Sequence, residues 1–353
     1  MTDGSWTPSP PSGDDAPAAA SPPPRPRSRV WPILATVLLL LSVIANGVLL
    51  LIVIGMGMML ATTMATQFSG AAADDALLEQ TVERGPSGTK IAVVRIQGLI
   101  EDTLVERVRR GLDRARRDDG VVAVILRINS PGGYLTASDA LYHHVAVFAE
   151  ETGKPVVAAM DSVAASGGYY AACAADTIVA QRTTVTGSIG IIAQYFFLNE
   201  LMEDKLGIQS VTLKRGQQKD WPNMFSGQMT PEQRDYIMEA LLDPGYDQFV
   251  DVVADGRGMD RDDVLALATG RIFMGPDARE RGLVDEIGYF SRAVAIAREK
   301  AGVDEARVVE YVRPFSLASL MGLSVKAESM LDLGPETLAG LASPRVMYLW
   351  TGR

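Results

Sequence analysis

The chain reads as an α/β domain carried behind a single membrane-spanning helix, and three observations predict this. A charge-free apolar run occupies Val30–Ala61. After it, β-branched apolar runs alternate with amphipathic stretches, and that order of strand, tight loop and helix builds parallel sheets. Two loops at the C-terminal ends of expected strands, "NSPGGYLTASDAL" and "DSVAASGGYYAACAAD", carry paired glycines where such sheets tend to place their sites.

Taken in order, residues 1–29 are rich in Pro, Ser, Ala and Asp and end in "PPPRPRSRV" across the boundary, a composition too poor in apolar surface to fold, so they are expected to be a disordered tail. Residues 30–61 exceed the roughly 20 apolar residues needed to span a bilayer and the 7 to 15 of a signal-peptide core. They are therefore expected to be an uncleaved anchor. Arg25, Arg27 and Arg29 precede it and no Lys or Arg follows until Arg84, which puts the N-terminus in the cytoplasm and the rest outside. Residues 62–88 read as a spacer, 89–310 as the main domain, and 311–353 as a segment of uncertain structure.

Within the domain, Lys90–Ile100 is β-branched and apolar. Leu104–Asp119 places Val105, Val108, Leu112 and Ala115 at helical spacing with arginines on the other faces. Val121–Asn129 is a continuous apolar strand of the kind buried in parallel sheets. A helix is expected through His143, then a strand at "KPVVAAMD" running into a helix near Ser166. "DTIVAQ", "SIGIIAQYFF" and "SVTLKRG" supply shorter β segments, and Thr230 caps a helix that starts near Pro231.

Composition excludes several duties. A net charge of -10 is unfavourable for phosphate contacts, so nucleic acid is not an expected partner. The single cysteine, Cys173, rules out an intrachain disulfide framework and a multi-cysteine metal site. His143 and His144 are adjacent on a helix, so their side chains diverge by about 100° and suit neither a shared metal nor a triad. No metal or cofactor is expected.

Ser166 would sit at a helix N-terminus, where free N–H groups favour developing negative charge; it is equally a common cap. Pro131 with Gly132–Gly133 is either an ordinary turn or a loop whose backbone N–H groups stabilise an oxyanion. Lys219 alone is an exposed loop lysine, and Ser188 a residue of a turn between Gly187 and Gly190. Cys173 reads as a packing residue.

Together "INSPGG", "VAASGGYYAACAADTIVAQRTTVTGSIGI", "KRGQQKD" and "GRIFMGPDARERGLVDEIG" resemble the signal peptide peptidase A family of membrane-anchored serine proteases, in its half-length form, from about Lys90 to Gly302. The resemblance implies a crotonase-like fold, a ββα superhelix similar to the Clp protease subunit. That protease takes its base from a histidine downstream of the serine, and no histidine follows His144 here. The resemblance implies instead Ser166 as nucleophile, Lys219 as base, Ser188 orienting the lysine, and the N–H groups of Gly132 and Gly167 as oxyanion donors. It implies substrates that are remnant signal peptides or other unfolded apolar peptides at the membrane, and a homo-octameric ring in which Lys219 reaches Ser166 either within one chain or across a subunit boundary. The alternatives are a related protease of other membrane-protein segments, a non-proteolytic crotonase-like enzyme acting on acyl-CoA, and a non-catalytic scaffold.

Overall fold

The computed structural model describes residues 30–68, 77–225, 227–312 and 345–352. The tail 1–29 lies outside them. Contacts divide the chain into two units, Met1–Asp75 and Ala76–Arg353. In the first, helix α1 runs Val30–Phe68. Its stretch Thr36–Gly57 is, among the described residues, the one segment long and apolar enough to cross a membrane. At 1.5 Å per residue its 22 residues span about 33 Å, close to a bilayer core. A membrane anchor fits this helix.

The second unit is α/β with a largely parallel sheet, the class that the alternation of elements predicts. Its elements are β1 (Leu78–Glu83), β2 (Lys90–Gln97), α2 (Asp102–Arg117), β3 (Val121–Ser130), β4 (Gly132–Tyr134), α3 (Leu135–Thr152), β5 (Val156–Ala165), α4 (Gly167–Ala172), β6 (Thr177–Ala180), β7 (Val185–Gly187) and β8 (Ile192–Gln194). There follow α5 (Pro231–Ile237), α6 (Asp243–Arg257), α7 (Arg261–Leu267), β9 (Ile272–Met274), α8 (Gly275–Glu280), β10 (Glu286–Ile287), α9 (Phe290–Lys300), β11 (Arg307–Val312) and β12 (Arg345–Leu349). The main sheet has the order β1-β11-β2-β3-β5-β6-β10, with β7 paired to β5 and β9 to β7. A second sheet has the order β4-β12-β8.

Period-two alternation explains why the central strands are apolar throughout. Ala92, Val94, Ile96, Val124, Leu126 and Ile128 face one core with the inner residues of α2, α3 and α4. Ile91, Val93, Ala123 and Ile125 face another, closed by Ala293, Val294, Ile296 and Ala297 of α9. A sheet covered on both faces has no polar side to alternate with. Helix α5 starts as its sequence predicts: the Thr230 hydroxyl accepts from the Gln233 N–H, and the Gln233 side chain accepts in return from the Thr230 N–H.

Three segments differ from the sequence reading. Helix α1 continues to Phe68, and β1 lies at Leu78–Glu83, both inside the stretch read as a spacer. Its ladder partner is β11, far along the chain, so nothing local marks β1 as a strand. "SVTLKRG" forms no strand: Val211 is 81 % and Leu213 94 % exposed, and no neighbouring edge pairs with the segment. Near the C-terminus, β12 occupies a position between β4 and β8.

Candidate active site

Ser166 stands where β5 ends and α4 begins. Its backbone has φ 54° and ψ −119°, a conformation costly for an L-residue with a side chain. Hydrogen bonds hold it there: its N–H donates to the Gly187 carbonyl at 2.7 Å and its carbonyl accepts from the Tyr170 N–H at 2.8 Å. Its side chain is buried. Among the described residues only one other non-glycine has positive φ, and it is Ser188, at 51°. Strained backbone held by its surroundings concentrates at working sites. The two serines flagged by the sequence are the two strained ones, and they are linked through the neighbouring Gly187.

The glycine loop closes on the same point. Gly132 has φ 103°, and a Cβ there would run into the Tyr348 carbonyl oxygen while lying 2.8 Å from the Gly167 amide nitrogen. Gly132, the Gly167 N–H and the Tyr348 carbonyl therefore meet at one spot. A side chain at Gly167 would strike the Ser138 hydroxyl. The Gly132 N–H itself donates to Ser130 Oγ at 3.1 Å, and that hydroxyl donates onward to the Gly98 carbonyl at 2.6 Å. Ser130 thus anchors the loop, a role that its place inside "NSPGG" does not announce.

Ser188 is buried and donates its N–H to the Arg271 carbonyl at 2.8 Å. It borders a cavity of about 760 Å³ whose wall also includes Ile191, Ile192, Tyr246, Arg271 and Trp350. Lys219 lies on an exposed turn, its N–H on the Gly216 carbonyl at 3.3 Å. Within one chain the structure brings Ser166, Gly132, Gly167 and Ser188 to a common region and gives the Lys219 side chain no hydrogen bond to any of them among the described residues. The nearby Lys214 is occupied by an ion pair to Asp220, which holds that carboxyl below its ordinary range.

The remaining candidates take structural places. Burial pushes the Cys173 thiol up to about 12, which leaves it protonated and inert. His143 and His144 sit on α3 with ring centroids 5.9 Å apart, and burial lowers the pKa of His144. Among the described residues no group of His, Cys, Asp and Glu is placed to hold a metal ion.

Sequence reasoning missed β12. This strand runs antiparallel to β4, with Met347, Tyr348 and Leu349 opposite Tyr134, Gly133 and Gly132, and antiparallel to β8 on its other side. The Trp350 N–H donates to the Pro131 carbonyl at 2.8 Å. Its pairing partners β4 and β8 both lie far back in the chain, so no local signal marks it.

Comparison with known proteins identifies the family. The model of peptidase family S49 matches residues 148–304. An Enterococcus faecium protein named "Putative signal peptide peptidase SppA" is 34% identical over 341 residues, covering 90% of this chain and 97% of its own length. The Arabidopsis thaliana "Serine protease SPPA, chloroplastic" is 39% identical over 219 residues, 61% of this chain and 31% of that protein. "Protease 4" of Haemophilus influenzae is 38% identical over 218 residues, 60% of this chain and 34% of that one. The chain thus spans nearly all of the first relative and about a third of the other two. A strained serine at a strand-to-helix junction, a glycine loop beside the next amide, and similarity along almost a whole relative lead to one conclusion: the chain belongs to peptidase family S49, a family of serine peptidases.

Proposed function

We propose that the protein is a membrane-anchored endopeptidase that cuts extended peptides with a Ser166–Lys219 dyad, its substrates being remnant signal peptides at the extracytoplasmic membrane face. The observation that carries this reading is β12: an extended strand lies between β4 and β8, and the space beside Gly132 is bounded both by its Tyr348 carbonyl and by the Gly167 nitrogen, where a substrate would lie. Strand addition of this kind gives affinity through the backbone and selectivity through side-chain pockets.

In this reading Lys219, neutral, takes the proton from Ser166 Oγ as that oxygen attacks the substrate carbonyl. The Gly167 N–H receives the oxyanion, while the Gly132 N–H, expected to share that task, is turned to Ser130 Oγ in this structure. Lys219 passes its proton to the departing amine, then activates the water that releases the acyl group. A lysine serves as base only where burial removes water from its ammonium form. Lys219 is exposed in one chain, so the reading includes a second copy that covers it, as in a homo-octameric ring with the dyad formed across a subunit boundary. What supports this is the set of exposed apolar side chains on the segment that precedes it in the chain, Phe196, Leu206, Ile208, Val211 and Leu213. Signal-peptide substrates come from the name of the Enterococcus relative. An anchor keeps the enzyme where such peptides lie.

The test is cleavage of a fluorogenic peptide by the purified full chain in detergent. Ser166→Ala and Lys219→Ala are each expected to lower kcat by at least about a thousandfold. Lys219→Arg should be as inactive as Lys219→Ala, because a guanidinium does not deprotonate usefully. Near-normal turnover in either alanine variant ends the dyad assignment.

A further inference from the structure

Among the described residues four serine and threonine side chains are completely buried, and three of them direct the hydroxyl at a backbone carbonyl. Ser130 donates to Gly98, Thr184 to Asp161 and Thr186 to Ala164, each at 2.6 Å. The fourth, Ser138, has no partner for its Oγ. It lies in the first turn of α3, and a helical serine commonly turns back on the carbonyl four residues earlier. Ser138 faces α4 instead: a Cβ built on Gly167 would strike its Oγ and lie 3.2 Å from the Gly133 amide nitrogen. The hydroxyl oxygen therefore occupies the side-chain space of Gly167, against the Cα next to the oxyanion-donating N–H. One residue on, the backing is different. A Cβ on Gly168 would lie 2.9 Å from the Ser130 carbonyl, in strand backbone fixed by its ladder to β5. Gly168 is thus pressed on a strand, and Gly167 on a single side-chain oxygen.

We propose that Ser138 is a positioning residue for peptide cleavage: its Oγ, seated on the Gly167 Cα, keeps the Gly167 N–H aimed at the carbonyl under attack. This rests on the reading of Gly167 as an oxyanion donor. A buried hydroxyl without a hydrogen bond costs the fold stability, so packing alone favours alanine at this position. What the oxygen supplies is a stop of fixed size. The Gly167 hydrogen on that side points at it, which makes the contact a weakly polar one. With the oxygen removed, the first residue of α4 can tilt toward α3 and carry its N–H off the line to the substrate oxygen. A preorganised donor lowers the barrier only while that line is held. Loss of the stop therefore appears in kcat and not in KM.

The test uses the full-length chain in detergent, a fluorogenic peptide, and a peptide boronic acid whose four-coordinate adduct with a serine mimics the tetrahedral intermediate. In Ser138→Ala kcat is expected to fall about ten- to a hundredfold with KM within about twofold, the scale of a misaligned group. Inhibition by the boronic acid should weaken by the same factor, because its adduct samples the transition-state geometry. Gly167→Ala, which drives a methyl into the Ser138 oxygen, is expected to lose at least about a hundredfold in kcat. Adding Ser138→Gly clears that space and should return at least about tenfold of the loss, the non-additivity of two groups in contact. This exchange nearly conserves packed volume, so it decides the matter even where Ser138→Ala fails to fold. Unchanged kcat in Ser138→Ala, a KM that rises as kcat falls, or a Gly167→Ala chain that Ser138→Gly does not improve overturns the assignment. The two readings fail separately. Turnover that survives Ser166→Ala ends the reading of the site and this inference with it, whereas Ser166-dependent turnover indifferent to Ser138 ends this inference alone.

Discussion

Cys173 has its thiol buried against α6, where the Gly256 Cα faces the Cys173 carbonyl. Burial raises its pKa from about 9 to about 12, so between those values the unfolded chain releases a proton that the native chain keeps. Stability from this site is therefore complete below about pH 9 and is lost as pH climbs toward 12. The melting-temperature advantage of the full chain over Cys173→Ala should be smaller at pH 10.5 than at pH 8; an unchanged advantage contradicts the buried thiol. At this scale the sequence was informative about residue types and silent about their surroundings. Ser166 and Ser188 stood out through the ordered motifs that carry the family resemblance. Ser130 did not, since its hydroxyl acts on the Gly132 N–H through a loop that only the fold supplies.

Among the elements, those with a strong internal period were the readable ones. β2, α2 and β3 carry their partners' signature in their own spacing, and the capping pair Thr230 and Gln233 is local by construction. β1, β8 and β12 are short and owe their existence to ladders with distant strands, so propensity does not separate them from loop. "SVTLKRG" has β-type alternation without a ladder, which is why it misled. Helix α6 offers a test of packing over propensity. Alanine is the better helix former by about 1 kcal/mol, yet at Gly256 a Cβ would strike the Cys173 carbonyl at the end of α4. Gly256→Ala should thus destabilise the chain by about 1–3 kcal/mol in a denaturant melt. A gain in stability would show that α4 and α6 are not in such close contact.

At the scale of the whole molecule, the exposed apolar residues between Phe196 and Leu213 are where the proposed assembly can be tested. Val211→Asp with Leu213→Asp should convert the assembly to smaller species by sedimentation in detergent and lower peptide turnover in step, if a second copy covers Lys219. An assembled, fully active double variant would separate that surface from both roles. One pairing reaches further still. Leu78 lies opposite Val312, so among the described residues the first strand of the domain is secured only by the last strand of the main sheet. On a translating ribosome α1 emerges long before residue 312 is joined. The sheet edge next in sequence to the anchor therefore stays open throughout synthesis of the domain, and closing it is a late event in the protein's biogenesis.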